Sequence, residues 1–374
     1  MIYLDSAATT FQKPPAVRAA VQQALLNLSS PGRGSYSAAA KAEKVAFTCR
    51  SELAELFHLS NPEQVVFTMN ATHALNIAIK SLVPEGGRVV ISGYEHNAVT
   101  RPLAALKAEC KVSAAPLFHQ EAVIEAFEKQ ITPDTNAVIC NHVSNVFGFI
   151  QPIEHIAALC REQGVPFIVD ASQSAGILPL DMAALDAAFI AMPGHKGLYG
   201  PQGIGVLLCK EGIKTLPLLE GGTGSNSLQQ EMPDFFPDRL EAGTHNMPGI
   251  AGLLAGVRYV RSRGIKNIFQ HERNLASMMS KELYKLRGVQ VFSLSNMNAQ
   301  AGVLSVVPQR SDVEFLGTEL EKHGIAVRAG LHCAPLAHRT AETLKTGTLR
   351  FSFSDFNTAE EVYYALRLLK RCVH

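Results

Sequence analysis

An aspartate and a lysine, each delivered by an apolar run, are the residues of this chain best suited to chemistry. Phe167-Ile168-Val169 leads to Asp170, followed by Ala171-Ser172-Gln173. A second run, Ala187-Ala188-Phe189-Ile190-Ala191-Met192, leads through Pro193-Gly194-His195 to Lys196. If both runs are neighbouring strands, the carboxylate and the amine meet in the crevice at their carboxyl ends, where open α/β sheets bind ligands. An aspartate to face a pyridinium nitrogen and a lysine to condense with an aldehyde are what pyridoxal 5'-phosphate (PLP) asks of a protein. A lysine in a Gly-rich loop is more commonly a solvated surface residue. Here Gly194, Gly197, Gly200, Gly203 and Gly205 indicate close backbone packing instead.

Three more polar groups come after apolar runs. Asn70-Ala71-Thr72 comes after Val65-Val66-Phe67 and opens a helical pattern, a natural phosphate seat and equally a plain N-cap at Thr72. His96 comes after Arg88-Val89-Val90-Ile91, and Asn145 after Ala137-Val138-Ile139-Cys140. Singly these are a loop histidine and a turn asparagine. Their common position past strand ends, shared with Asp170 and Lys196, makes them candidates for one site. A second kind of chemistry is suggested by Cys333, in a Gly/Pro-flanked loop beside His332 and close after Arg328, because neighbouring positive charge favours a thiolate. The other six cysteines (Cys49, Cys110, Cys140, Cys160, Cys209, Cys372) lie mostly in apolar or helical contexts, where packing accounts for them.

The elements that must position these groups alternate. Strand-like runs and amphipathic helical stretches succeed one another from about residue 45 to 210, with helices such as Glu121 to Gln130 and Ile153 to Gln163, the latter stopped by Gly164. This predicts an α/β fold: a mainly parallel sheet covered by helices on both faces. Residues 221–248, rich in glycine and proline, read as a long functional loop. Helices are predicted from about Gly249 to Arg263 and Lys266 to Leu286. Strands at 302–307, 326–328 and 348–353 then suggest a smaller α+β domain, closed by a helix from Thr358 boxed by Glu361.

At 374 residues, 47% hydrophobic and 18% charged, the chain has an ordinary globular composition, long enough for two domains. A net charge of +1 without basic blocks gives no reason to expect nucleic acid or a membrane surface as partner. The N-terminus shows no signal-peptide pattern, no apolar stretch is long enough to span a bilayer, and seven cysteines without a CxxC pair fit the cytoplasm. No metal site is expected.

As a set, Tyr3-Leu4-Asp5-Ser6-Ala7-Ala8-Thr9-Thr10, Glu95-His96, His142-Val143-Ser144-Asn145, Val169-Asp170-Ala171-Ser172-Gln173, Gly194-His195-Lys196, Tyr199-Gly200-Pro201-Gln202-Gly203 and Glu241-Ala242-Gly243-Thr244 resemble the cysteine desulfurase/selenocysteine lyase branch of class V aminotransferases. The resemblance runs over nearly the whole chain, in order. It implies a fold-type-I PLP enzyme with a seven-stranded-type sheet, usually a homodimer with active sites at the subunit interface. The expected division is an arm at 1–15 associated with the small domain, a large PLP-binding domain at 16–250, and a small domain at 251–374 carrying the cysteine loop.

By the same resemblance Lys196 binds the cofactor covalently, Asp170 pairs with the ring nitrogen and His96 stacks on the ring. Gln173 and Asn145 lie near the phenolic oxygen and the substrate. Ala71 (through its N–H), Thr72 and His195 hold the phosphate, and Thr244 reaches the phosphate of the other subunit. Many relatives carry a phosphate-binding serine three residues before the lysine; this chain has Pro193, with neither hydroxyl nor N–H.

The reaction is selected elsewhere. Val327-Arg328-Ala329-Gly330-Leu331-His332-Cys333-Ala334-Pro335 matches the family's nucleophile loop, and Arg350 its carboxylate-gripping arginine, with Arg328 a further substrate contact. An unpaired arginine inside a β-run would be costly, which also points to a ligand role for Arg350. The short stretch from Cys333 to Arg350 resembles the second group of desulfurases, whose cysteine loop is compact. The expected activity is conversion of L-cysteine to L-alanine with sulfur retained on Cys333, Lys196 as base and His96 as candidate acid, and a sulfur-acceptor protein as a further partner. The alternatives are a selenocysteine lyase, another class V aminotransferase that has no need of Cys333, and a sulfur-carrier docking module.

Overall fold

The computed structural model describes residues 1–31, 34–294 and 297–373. The chain begins with a two-residue strand β1 (Ile2–Tyr3), followed by helices α1 (Pro15–Asn27) and α2 (Ser37–Leu56). Strands and helices then alternate through β2 (Val65–Thr68), α3 (Ala71–Leu82), β3 (Arg88–Ser92), α4 (Asn97–Ala105), β4 (Glu109–Ser113), α5 (Gln120–Gln130), β5 (Ala137–Asn141), α6 (Ile153–Gln163), β6 (Phe167–Asp170), α7 (Met182–Leu185), β7 (Phe189–Pro193) and β8 (Gly205–Cys209). Gly164 ends α6 in the left-handed region at φ 66°, a conformation without steric cost for glycine.

These strands form one seven-stranded sheet in the order β2-β8-β7-β6-β5-β3-β4. The run from β7 to β4 is parallel, and β8 is antiparallel to both of its neighbours. Successive side chains of a strand point to opposite faces, and both faces are dry. Val138, Cys140, Phe167, Val169, Ile190 and Met192 enter one buried cluster, whereas Ala137, Ile139, Ile168, Phe189 and Ala191 enter the other. Continuous apolar runs are what such doubly covered strands require. The exception is β4, which apolar patterning does not predict. Among the described residues it pairs with β3 alone, and its Glu109, Cys110 and Lys111 face water or its margin, so it carries the charge of a sheet edge rather than an apolar signature.

Beyond β8 the chain has little regular structure until α8 (Met247–Arg263), apart from a short 3-10 turn at Asp238–Leu240. This loop is not loosely held. Glu241 is buried and accepts both guanidinium nitrogens of Arg50, at 2.7 and 2.6 Å, and the N–H of Phe67 at 2.5 Å. The second unit comprises α9 (Ile265–Leu283), β9 (Val289–Phe292), β10 (Val303–Pro308), α10 (Val313–Lys322), β11 (Ile325–Ala326), β12 (Arg328–Gly330), α11 (Pro335–Thr340), β13 (Thr348–Ser352) and α12 (Ala359–Val373). Its antiparallel sheet runs β12-β13-β10-β9, backed by a core from α9, α10 and α12. The capping box at α12 is formed: Glu361 N–H donates to Thr358 Oγ1 at 3.3 Å, and Thr358 N–H to Glu361 Oε2 at 3.2 Å. The N-terminal strand joins this unit, with β1 parallel to β11.

Candidate active site

Parallel strands β5, β6 and β7 end side by side, and the residues at and just past their carboxyl ends line one cavity of about 180 Å³. Asn145, Asp170, Gln173, His195 and Lys196 enter from this direction, His96 from the start of α4, and Ala71 and Thr72 from the start of α3. The sequence expectation of a shared strand-end crevice therefore corresponds to a single cavity. Asn70, Asn141 and Ser172 line it as well; Asn70 and Ser172 lie two residues from Thr72 and Asp170, and Asn141 directly follows the run Ala137 to Cys140, but none is singled out as a candidate by the sequence.

Asp170, the last residue of β6, is buried, and its Oδ1 accepts the N–H of Ser172 at 2.9 Å. Lys196 lines the cavity and is half-buried. Burial pulls its pKa down to about 8; the charge of Asp170 opposes that shift and Arg350 adds to it. The carbonyl before it is held firmly: His195 O accepts from Thr10 N at 3.1 Å, Thr10 Oγ1 at 3.0 Å and Lys13 Nζ at 2.9 Å. His195 itself is kept neutral by burial, its pKa near 4, with Nδ1 2.9 Å from Thr9 Oγ1.

His96 is the N-cap of α4. Its Nδ1 accepts the N–H of Ala98 at 3.0 Å, and burial lowers its pKa, so the neutral ring carries its proton on Nε2. Gln173 is oriented by donating its amide to Ala7 O at 2.8 Å. At α3 the cap is Asn70 rather than Thr72, with Asn70 Oδ1 accepting from His73 N at 2.9 Å. Thr72 is thereby free of capping duty. Among the described residues, the N–H groups of Ala71 and Thr72 have no hydrogen-bond partner.

The second chemistry is linked to this cavity through Asn145. His332 and Cys333 both adopt left-handed backbone conformations, at φ 50° and 55°, which is unusual for consecutive non-glycine residues. Main-chain contacts hold them there: Asn145 Nδ2 donates to His332 O at 2.9 Å, and Asn97 N–H to Cys333 O at 2.8 Å. Cys333 is exposed; four of the other cysteines are buried, Cys372 is partly so, and Cys110 is exposed on the edge strand. His332 does not supply the positive charge expected beside the thiol. It is buried against Thr348 and desolvation drives its pKa down to about 2, so the ring is neutral.

Arg350 also departs from expectation. It is 2% exposed but not unpaired: Nη2 donates to Asp5 Oδ1 at 2.6 Å and Nη1 to Asn145 O at 2.9 Å. Its Nε remains buried without a partner, as does Asn145 Oδ1. Arg328 is half-exposed and donates from Nε to Asp5 Oδ2 at 3.1 Å. Thr244 stands apart from the 180 Å³ cavity. It lines a separate space of about 740 Å³ with Arg50, Thr223 and His245.

The residues present fit PLP. The cavity offers a seat for an anionic group at the free N–H pair of α3, a buried carboxylate for a protonated ring nitrogen, an amine of lowered basicity and an unpaired buried amide oxygen. Pro193 closes the β7 side of the cavity without contributing a donor.

Comparison with known proteins agrees with this arrangement. The Aminotransferase class-V family matches residues 2–364. The chain is 32% identical over 388 residues to a probable cysteine desulfurase of Pyrococcus abyssi, covering 100% of this chain and 94% of that protein. It is 30% identical over 370 residues to one of Methanothermobacter thermautotrophicus, covering 96% and 92%. Among solved structures, the apo cysteine desulfurase of Thermococcus onnurineus NA1 superposes with a TM-score of 0.91 at 30% identity, covering 100% of this chain and 94% of that one. The cysteine desulfurase CsdA of Escherichia coli, in an S-sulfonic acid form, gives 0.87 at 29% identity, covering 99% and 94%. A cavity built for PLP at the carboxyl ends of a seven-stranded sheet, with a family match over nearly the whole length, places the chain in the class V aminotransferase family of PLP-dependent enzymes.

Proposed function

We propose that this chain is a PLP-dependent cysteine desulfurase that converts L-cysteine to L-alanine and leaves the sulfur on Cys333 as a persulfide. The observation that carries the reading is the joining of two chemistries: the loop of Cys333 is tied by Asn145 and Asn97 to the cavity that holds Asp170 and Lys196. A plain aminotransferase has no use for an exposed cysteine held in this way.

When bound, PLP supplies an electron sink for the charge left at Cα after deprotonation. Asp170 would hold the ring nitrogen protonated, and His96 would cover the ring. Ala71, Thr72 and His195 would hold the phosphate, with Gln173 and Asn145 at the phenolic side. Arg350 would take the substrate carboxylate with the support of Arg328, and Lys196 would remove the Cα proton. The Cys333 thiolate attacks the substrate sulfur. The new S–S bond forms as the Cβ–S bond breaks, its electron pair passing to Cβ, which is then protonated; the Nε2 proton of His96 is the candidate source. L-Cysteine and the Cys333 thiol thus become L-alanine and a Cys333 persulfide.

The same residues would serve L-selenocysteine. Thr244, outside the cavity of its own chain, supports a homodimer in which it reaches the partner's cofactor, and the persulfide calls for an acceptor protein. We read 1–15 as an arm on the small domain, 16–250 as the large domain and 251–374 as the small one, in the cytoplasm; among the described residues no helix is long and apolar enough to cross a membrane. The test is direct: PLP-loaded protein given L-cysteine and a reductant should release alanine and sulfide in equal amounts. Amino transfer to a keto acid without sulfide would overturn the reading.

A further inference from the structure

Arg328 and Arg350 are cross-strand partners on β12 and β13. Like charges directly opposite on a sheet repel, and a single carboxylate bridges this pair: Asp5 accepts from Arg350 Nη2 at 2.6 Å through Oδ1 and from Arg328 Nε at 3.1 Å through Oδ2. The backbone fixes Asp5 independently of those charges. It forms a parallel bridge to Ser352, flanked by Ser352 N–H to Leu4 O at 2.8 Å and Ala7 N–H to Ser352 Oγ at 2.8 Å. The three side chains sum to one positive charge, with one buried donor, Arg350 Nε, left over. That is a match for one carboxylate. Without Asp5 the sum would be two positive charges, and the half-exposed Arg328 would be untied.

We propose that Asp5 sets the charge selectivity of the substrate site: by holding Arg328 and Arg350 together it admits an amino acid with one carboxylate and a neutral side chain, and disfavours one with a second anionic group. The inference rests on the reading of Arg350 as the carboxylate-binding residue. Asp5 acts through the two arginines, so it is a positioning residue. The cluster is joined to the cavity wall through Asn145, a lining residue whose carbonyl accepts from Arg350 Nη1 at 2.9 Å, and its charges are felt at Lys196, Asp5 raising and the two arginines lowering its pKa.

The test is competitive inhibition of sulfide release from L-cysteine by L-aspartate and by L-alanine. In Asp5→Asn the ratio of the two inhibition constants should move toward aspartate by about tenfold or more, and the double variant Asp5→Asn/Arg328→Gln should return it toward the wild-type value. Because it is a ratio, it is insensitive to a general loosening of the site. Arg328→Gln alone, which lowers the charge sum, should move the ratio the other way and serves if Asp5→Asn does not fold. A ratio within about twofold of wild type in an active Asp5→Asn enzyme, or in active Arg328→Gln, would overturn the proposal alone. If neither amino acid competes with cysteine in the wild-type enzyme, the carboxylate-binding reading of Arg350 fails, and the proposal with it.

Discussion

Asn145 donates its side-chain amide to the carbonyl of His332 at 2.9 Å, and its own carbonyl accepts from Arg350 at 2.9 Å. One residue of the cofactor cavity is thus bonded to both the cysteine loop and the buried arginine. Asn145→Ala keeps the backbone bond to Arg350 and removes the bond to His332, leaving a buried carbonyl unpaired. The expected outcome is a fall in kcat/KM for cysteine of about 10- to 100-fold with PLP still bound. A variant that loses PLP and activity in parallel would show that Asn145 acts on the cofactor alone.

Cys333 stands at an exposed turn whose backbone is held by Asn97. Cys333→Ala should lower sulfide release from L-cysteine by more than about 100-fold while the cofactor absorbance is unchanged. Selenium leaves carbon more readily, so release of selenide from L-selenocysteine should fall much less. Equal losses with both substrates would mean that the cysteine positions substrate rather than accepting its sulfur.

The strand ends are legible in the sequence because buried parallel strands are apolar throughout, so polar residues shortly past each run point to the site; Asp170 directly follows its run, and Asn145 lies five residues past Cys140. Strand β4 is not, since an edge strand with Glu109 exposed and Lys111 only half-buried resembles a loop. The cap of α3 is displaced by two residues, from Thr72 to Asn70, because both residue types serve as caps. Asp5 sits within a recognisable segment, yet its partnership with Arg350 joins residues at opposite ends of the chain, where local periodicity carries no information. For the same reason Arg350 reads as unpaired and His332 as charged: pairing and desolvation are properties of the folded neighbourhood.

Glu95 is fully buried, next in the chain to His96 and bonded to Asn141, both of which line the cavity. Its Oε1 accepts from Ser92 Oγ at 2.5 Å and from Asn141 N–H at 2.8 Å, and desolvation raises its pKa from 4.5 to about 8. The folded protein therefore keeps a proton that the unfolded chain sheds, and this contribution to stability is full below about 4.5 and declines as pH rises toward 8. Glu95→Gln retains the acceptor and removes the ionisation. Its Tm relative to wild type should climb between pH 5 and 8, gaining about 5 °C or more at the upper end. A difference independent of pH would show that Glu95 is ionised in the fold.

Lys196 titrates with the opposite consequence. With its pKa lowered from 10.5 to about 8, the unfolded chain binds the extra proton between those values, so the contribution to apo-protein stability rises with pH across that window. The neutral amine is the form that reacts with the cofactor aldehyde. The rate of PLP loading onto apo-protein, followed by absorbance, should therefore rise with pH to a midpoint near 8. The surrounding charges give the sign of each variant. Asp170 raises the pKa, so Asp170→Asn should move the midpoint down; Arg350 lowers it, so Arg350→Gln should move it up. A midpoint at the ordinary lysine value, unmoved by either substitution, would mean that Lys196 is solvated in the apo-protein and that its basicity is not set by the cavity.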